Sequence, residues 1–417
     1  MFYLSAIFLG GLIFSGLAWK KPLTAIYLIV GLLPAYLIRF RILDIPLTFL
    51  ELLILLLFLI CLIKKRLDWK IIFHQPYFWP IIAILFFASL AVFVSPKTIQ
   101  ALGIWKAYFI EPILFFWVLI SLIRTRKQVR MILAALGFSV IYLSLFCCWQ
   151  KFSGYAVPQS FLNSTSGVDR VVGPFGYPNA LGLYLGPIII LYTGWLVSGS
   201  KKLLPLMMKL SVIIFGFITI ILAQSEAAIG AVVAIWFLMG VLYKKTRYPV
   251  IGLAVIGVLI LLLASGLREF IITKIFLLDY SGTVRRIIWH ESWKMIKYRW
   301  LLGAGLAGYQ HYIYPYHLNT FEIFPYPHNI ALNFWSELGL GGLLAFIWLG
   351  VKYFWTNLKI ILKNPGAKIM SFALIGVGLE IILHGLVDVP YFKNDLSALF
   401  WLFIALSYLN LKIGLID

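Results

Sequence analysis

His328 and Asn329 stand together in "FPYPHNIALNFWSELGLGGLL", directly ahead of a long apolar run. A histidine side chain ordinarily titrates at about pH 6.5, which suits it to take a proton near neutrality. Arg285 and Arg286 are adjacent near the start of "SGTVRRIIWHESWKMIKYRW". If a helix begins there, its free N–H groups and positive dipole end favour an anion, and two arginines suit a diphosphate. Arg170, in "GVDRVVGPFGYPNALGLYLG", precedes the glycines and prolines of a rigid turn. Such a turn would aim its guanidinium into whatever the loops enclose, although an arginine snorkelling at an interface fits the same residues.

Glu51, Glu111, Glu226, Glu337, Glu380 and His384 interrupt apolar stretches. A charge inside a membrane span costs roughly 3 kcal/mol, so such groups face protein and have partners. Glu380, His384 and Asp388 recur every fourth residue and would share one helix face, as a proton relay or as a hydrogen-bonded ladder. Glu337 lies about 13 Å along a helix from His328, too far to touch it. It is expected to tie its helix to a neighbour, and the "GLGGLL" that follows permits close helix approach. Cys61, Cys147 and Cys148 give neither a disulfide framework nor metal-ligand spacing; no cofactor is expected.

The elements that must position these groups are set by composition. Of 417 residues, 62% are hydrophobic and only 12% charged. A soluble domain carries about 25% charged residues. The apolar positions form runs of roughly 17 to 22 residues, the length of a membrane-spanning helix. The net charge of +20 sits mostly in short clusters between runs: Lys20/Lys21, Lys64 to Arg66, Arg124 to Arg130, Lys201/Lys202/Lys209, Lys244 to Arg247, and Lys359 to Lys368. That is the positive-inside pattern, and it gives no reason to expect nucleic acid.

The reading is an all-α polytopic membrane protein with about 12–13 transmembrane helices. The expected spans are 2–19, 22–38, 46–63, 77–94, 104–122, 131–148, 180–197, 209–223, 227–243, 249–266, 329–353, 369–387 and 396–412. The first is expected to be an uncleaved span, since Lys20 and Lys21 follow it and no small-residue cleavage site does. Residues 1–148 form an N-terminal set of helices, and 149–417 a second part with two long outer loops, 149–179 and 267–327.

Long loops in a compact chain are usually functional. The second one carries Arg268, Lys274, Arg285, Arg286, Lys294, Lys297 and Arg299 on the side the charge rule disfavours. Long loops also cross regardless of charge, but a basic cluster there fits an anionic ligand. Within it, an amphipathic interfacial helix is expected, N-capped by Thr283 and stopped by "LLGAGLAG". Ile288, Ser292, Met295 and Ile296 would share one face; Arg286, His290, Lys294 and Lys297 another.

"RVVGPFGYPNALG", "SGTVRRIIWHESWKMIKYRWLLGAGLAGY", "PHNIALNFWSELGLGGLLAFI" and "HGLVDVPYF" occur in the order seen in the O-antigen ligase and polymerase superfamily, which the chain resembles from Val168 to Tyr391. Each segment alone is a weak signal; their combination is fairly specific. The resemblance implies a membrane glycosyltransferase of the cytoplasmic membrane with its active site on the outer, periplasmic side. It would use a polyprenyl-diphosphate-linked glycan, with an undecaprenyl carrier expected, and pass it to a lipid, glycan or protein acceptor without a metal. Lipopolysaccharide assembly is the setting of such ligases; polymerases move the glycan onto another repeat unit. By matched position His328 would be the base, and Arg170 and Arg285 would hold the diphosphate. Asn329, His384 and Asp388 would support them. One departure is "QSEAAIG", where Glu226 stands at a place many relatives give to arginine; this makes Arg286 a substitute candidate.

Attack of an acceptor hydroxyl on an anomeric carbon needs its proton removed, and a departing diphosphate needs its charge met. Arginines can meet it. Direct displacement would invert the anomeric configuration. The rival classes are a lipid-linked glycan transporter, which tends to show internal repeats that this chain lacks, and a non-catalytic scaffold.

Overall fold

The computed structural model describes residues 2–42, 45–163, 167–197, 203–318, 321–364 and 367–414. Its first helices are α1 (Phe2–Lys20), α2 (Pro22–Gly31), α3 (Phe49–Ile63), α4 (Trp69–His74), α5 (Phe78–Val94), α6 (Thr98–Trp105), α7 (Glu111–Leu122) and α8 (Arg126–Ser153). Then come α9 (Pro178–Val197), α10 (Leu203–Leu222), α11 (Glu226–Leu242), α12 (Arg247–Leu263) and α13 (Ser265–Ile275). The chain ends with α14 (Tyr280–Tyr298), α15 (Tyr309–Ile313), α16 (Ile330–Lys363), α17 (Lys368–Gly385) and α18 (Asn394–Ile413). Strand is confined, among the described residues, to the antiparallel hairpins β1 (Arg39–Ile42) with β2 (Ile45–Thr48) and β3 (Leu162–Asn163) with β4 (Gly167–Val168).

Among the described residues, eight helices are long and apolar enough to cross a membrane, or nine if α12 and the segment bent away from it count as one. Four shorter apolar helices of 10–17 residues, α2, α3, α5 and α11, fall on the four remaining expected spans. The chain is therefore an all-α multi-pass membrane protein. The short ones have local causes. Helix α2 stops at Gly31 because Pro34, which has no N–H to donate, follows in a 3₁₀ turn. Ahead of Pro112 the ladder between α6 and α7 widens into a π turn, Lys106–Ile110, so this span starts earlier than expected.

Helix α9 is buried along most of its length and packs on α17, α10 and α11. Its closest approach is at Gly194, where a Cβ would come within 2.1 Å of Ala373 on α17. Small residues at such crossings let the backbones meet. Helix α16 is broken at Gly339 (φ 73°), and the break has a partner. Ala304 N–H takes the Ser336 carbonyl at 2.6 Å, and Leu340 N–H turns to the Trp300 carbonyl at 3.0 Å. The 300–304 loop thus inserts into the helix ladder, so Gly339 is a kink as well as part of a packing stripe.

Two ends of the bundle differ. At one, Arg124 pairs with Asp68 at 2.9 Å and Arg126 donates to the Ile413 carbonyl, joining the loops that carry basic clusters. Lys201 and Lys202 lie outside the described residues. At the other end Ser95 donates to the Leu306 carbonyl, Val171 to Leu222, and Arg285 to Val387. These are the loops that alternation of the spans assigns to the opposite side.

Between α12 and the α13–α14 segment the chain turns through 106°, the sharp change of direction an interfacial helix requires. As expected, Ile288, Ser292, Met295 and Ile296 are buried, and Arg286, His290, Lys294 and Lys297 are exposed. The start differs. Asp279, not Thr283, is the N-cap, its carboxylate accepting the Gly282 N–H at 2.9 Å. The helix therefore begins at Tyr280, and Arg285 and Arg286 sit in its second turn, away from the free N–H groups.

Candidate functional site

Pro325 and Pro327 stiffen the approach to α16, and His328 takes a left-handed backbone conformation (φ 48°), uncommon for a side chain of its size. Three contacts hold it there. Asn329 caps α16 by accepting the Leu332 N–H at 3.0 Å and donates to the Leu386 carbonyl at 2.9 Å. Trp289 of α14 donates to the Pro327 carbonyl at 2.9 Å. The imidazole packs against the rings of Phe324 and Tyr326, whose centroids lie 5.2 Å and 4.7 Å away. Burial raises the Tyr326 hydroxyl well above the ordinary tyrosine range, so it stays neutral beside the ring.

His328 Nδ1 faces Asp388 Oδ1 at 3.4 Å, across 60 residues of sequence. Helix α17 ends at Gly385, but the turn that follows continues its hydrogen bonding, the Asp388 N–H donating to the His384 carbonyl at 3.1 Å. Glu380 and His384 approach each other to 3.4 Å, buried against Gly186 of α9 and without hydrogen-bond alignment. Burial would raise the Asp388 carboxyl, but its hydrogen bond and charge interaction with His328, the charge of His384 and the Val389 N–H outweigh it. The net result is a carboxyl held down at about 2. A carboxylate against Nδ1 keeps the imidazole proton there and leaves Nε2 as an acceptor. The side chain of His328 retains 19% of its surface, so the pair is a reachable proton acceptor oriented by a fixed negative charge.

Two arginines approach this pair. Asn179, opening α9, donates weakly to Asp388 Oδ2 at 3.5 Å and accepts from Arg170 at 3.2 Å. Arg170 also donates to the Ala223 and Gln224 carbonyls beyond the end of α10, and half-burial lowers its pKa. Arg285 donates to the Val387 carbonyl at 2.9 Å, next to Asp388. The structure thus gathers His328, Asn329, Asp388, Arg170 and Arg285 around one turn.

Other expected residues lie apart. Arg286 is exposed, donates to Thr283 at 3.3 Å, and lines a separate hollow of about 300 Å³ with His290 and Leu318. Glu226 pairs with Lys274 of α13 at 2.7 Å, and Lys274 pairs with Asp279 at 2.8 Å, so Glu226 anchors the start of the α13–α14 segment. Glu337 accepts the Ala307 N–H at 2.8 Å, tying α16 to the adjoining loop as expected.

Sequence reasoning missed Asn179 as a link and missed a cleft of about 830 Å³ beside Tyr326. The cleft is bounded by the β1–β2 hairpin, α6, the π turn and α16, and includes Arg39, Arg41, Lys97 and Lys393. The available signal was that Arg39, Arg41 and Lys97 also fall on the side the charge rule disfavours.

Residues 182–347 match the family model described as O-antigen ligase. The match contains Glu226, Arg285, Arg286, His328 and Asn329; Arg170 and Asp388 lie outside it. No curated protein matches the chain.

Proposed function

We propose, from the match of residues 182–347 to the family model described as O-antigen ligase and from the site geometry, that this chain transfers a polyprenyl-diphosphate-linked glycan to an acceptor hydroxyl at the outer face of the cytoplasmic membrane. The acceptor oxygen bonds to the anomeric carbon, the bond from that carbon to the diphosphate oxygen breaks, and the acceptor proton passes to His328 Nε2. Asp388 orients the imidazole and stabilises the imidazolium that forms. Arg170 and Arg285 meet the charge of the departing diphosphate, as paired guanidiniums can in a partly dehydrated site. Arg286, turned into its own hollow, is the weaker candidate for that anion. The displacement inverts the anomeric centre, and retained configuration in the product would exclude it.

The observation that carries this reading is the His328–Asp388 contact at 3.4 Å at the mouth of α16, with Arg170 and Arg285 beside it. Catalytic hydrogen bonds are often long before substrate binds. The test is the glycan profile of cells lacking the protein, complemented with wild type or His328→Ala. Accumulation of full-length lipid-linked glycan, rescued only by wild type, supports a ligase; accumulation of single repeat units supports a polymerase. Full rescue by His328→Ala overturns the base assignment.

A further inference from the structure

The cleft beside Tyr326 has cations that no step above uses. Its two carboxylates are already engaged: Glu51 pairs with Lys106, and Glu337 accepts the Ala307 N–H. Among the described residues no carboxylate lies within ion-pair distance of Arg39, Arg41 or Lys97, while Lys393 has the buried Asp395 near it. A concave wall of unmatched positive charge attracts and concentrates anions. The arginines of the proposed diphosphate site approach from the Asp388 side, leaving this second set without an anion.

A second observation points the same way. Asn333, on α16 one turn below His328, is 1% exposed and lines the cleft, yet among the described residues neither its amide nitrogen nor its oxygen has a hydrogen-bond partner. A buried amide is costly without partners, and one donor group with one acceptor at a cleft wall suits a sugar hydroxyl. Tyr36, Tyr108 and Phe392 add ring surface for a sugar face, and the π turn Lys106–Ile110 borders the same space.

We propose that this cleft binds an anionic saccharide, bearing carboxylate or phosphate groups, as the acceptor of the transfer. The substrate class is new; the word acceptor rests on the transfer reading above. Arg39, Arg41, Lys97 and Lys393 select the charge, Asn333 reads a hydroxyl, and Tyr326, which lines the cleft and packs on the His328 ring, joins the cleft to the proton acceptor.

The test is direct binding to the full-length protein in phosphatidylcholine nanodiscs, with a carboxylated hexasaccharide (oligogalacturonate) and a neutral one (maltohexaose) as probes. The charged probe is expected to bind at least about tenfold more tightly at moderate salt, and Arg39→Gln with Arg41→Gln to erase most of that difference. Asn333→Leu weakens both probes, and Lys294→Gln, on the exposed face of α14 away from the cleft, leaves both unchanged. Equal affinity for the two probes, or unchanged affinity in the double variant, overturns the proposal. Loss of binding when phosphatidylglycerol is added at equal ionic strength assigns the cations to lipid headgroups and also overturns it. Charged-probe selectivity that depends on Arg39 and Arg41, in a protein whose loss leaves the cellular glycan profile unchanged, upholds the cleft and refutes the transfer reading.

Discussion

Replacing Asp388 by asparagine removes one negative charge from beside His328 while keeping a side chain of the same shape. The magnitude follows from the carboxyl being held at about 2. An unconstrained aspartate titrates at about 3.9, so the difference corresponds to about 2.6 kcal/mol of preferential interaction with the charged form. Asp388 is 3% exposed, so solvent screening does not reduce this much. His328, His384 and the Val389 N–H share the stabilisation, and burial works against it, leaving His328 on the order of 2 kcal/mol. If the imidazolium gains that support only as the proton arrives, Asp388→Asn lowers kcat by about thirtyfold with little change in KM. The assay is transfer by purified, reconstituted enzyme, with thermal stability measured alongside. Because the folded carboxyl is depressed, its contribution is complete above about pH 4 and is lost as pH falls towards 2. Asp388 therefore stays ionised through the working range, and activity lost between about pH 7 and 5 cannot come from its protonation. A folded Asp388→Asn enzyme with kcat within about threefold of wild type would show that the 3.4 Å contact is structural and refute the reasoning.

His328→Gln is expected to reduce transfer by about a hundredfold or more while leaving expression and melting temperature near wild type, read from the same assay. Arg285→Gln should lower transfer by at least about tenfold, and Arg286→Gln by less, because only Arg285 reaches the turn that carries Asp388; equal losses would return both arginines to one site. Arg170→Gln should cost activity and also stability, since the guanidinium holds the Ala223 and Gln224 carbonyls, and a melting curve would separate the two effects. Gly339→Ala should destabilise the fold by about 2 kcal/mol or more, because its Cβ would come within 2.1 Å of the Leu301 carbonyl oxygen in a left-handed conformation; an unchanged melting temperature would mean that the 300–304 loop does not insert into α16.

Hydropathy and charge, read along the chain, determined the apolar helices, the amphipathic faces of α14 and the place of His328 and Asn329 directly ahead of a helix. These follow from local preferences: whether a run prefers lipid, whether a cation stays in the cytoplasm, whether an asparagine can cap. The loops at each end of the bundle do meet one another, which that alternation alone foretold. Tertiary structure decided the pairings. The turn that closes α17 brings Asp388 to His328, which stands 60 residues earlier in the chain. A cap four residues early moves Arg285 and Arg286 into the second turn of α14, where about 100° of helical rotation sends one to Val387 and the other to a separate hollow. The cleft at Asn333 is further still from legibility, because it exists only where a hairpin from the first half of the chain closes over α16 from the second. Contacts of that kind depend on where several helices end and cross, and no single segment carries that information.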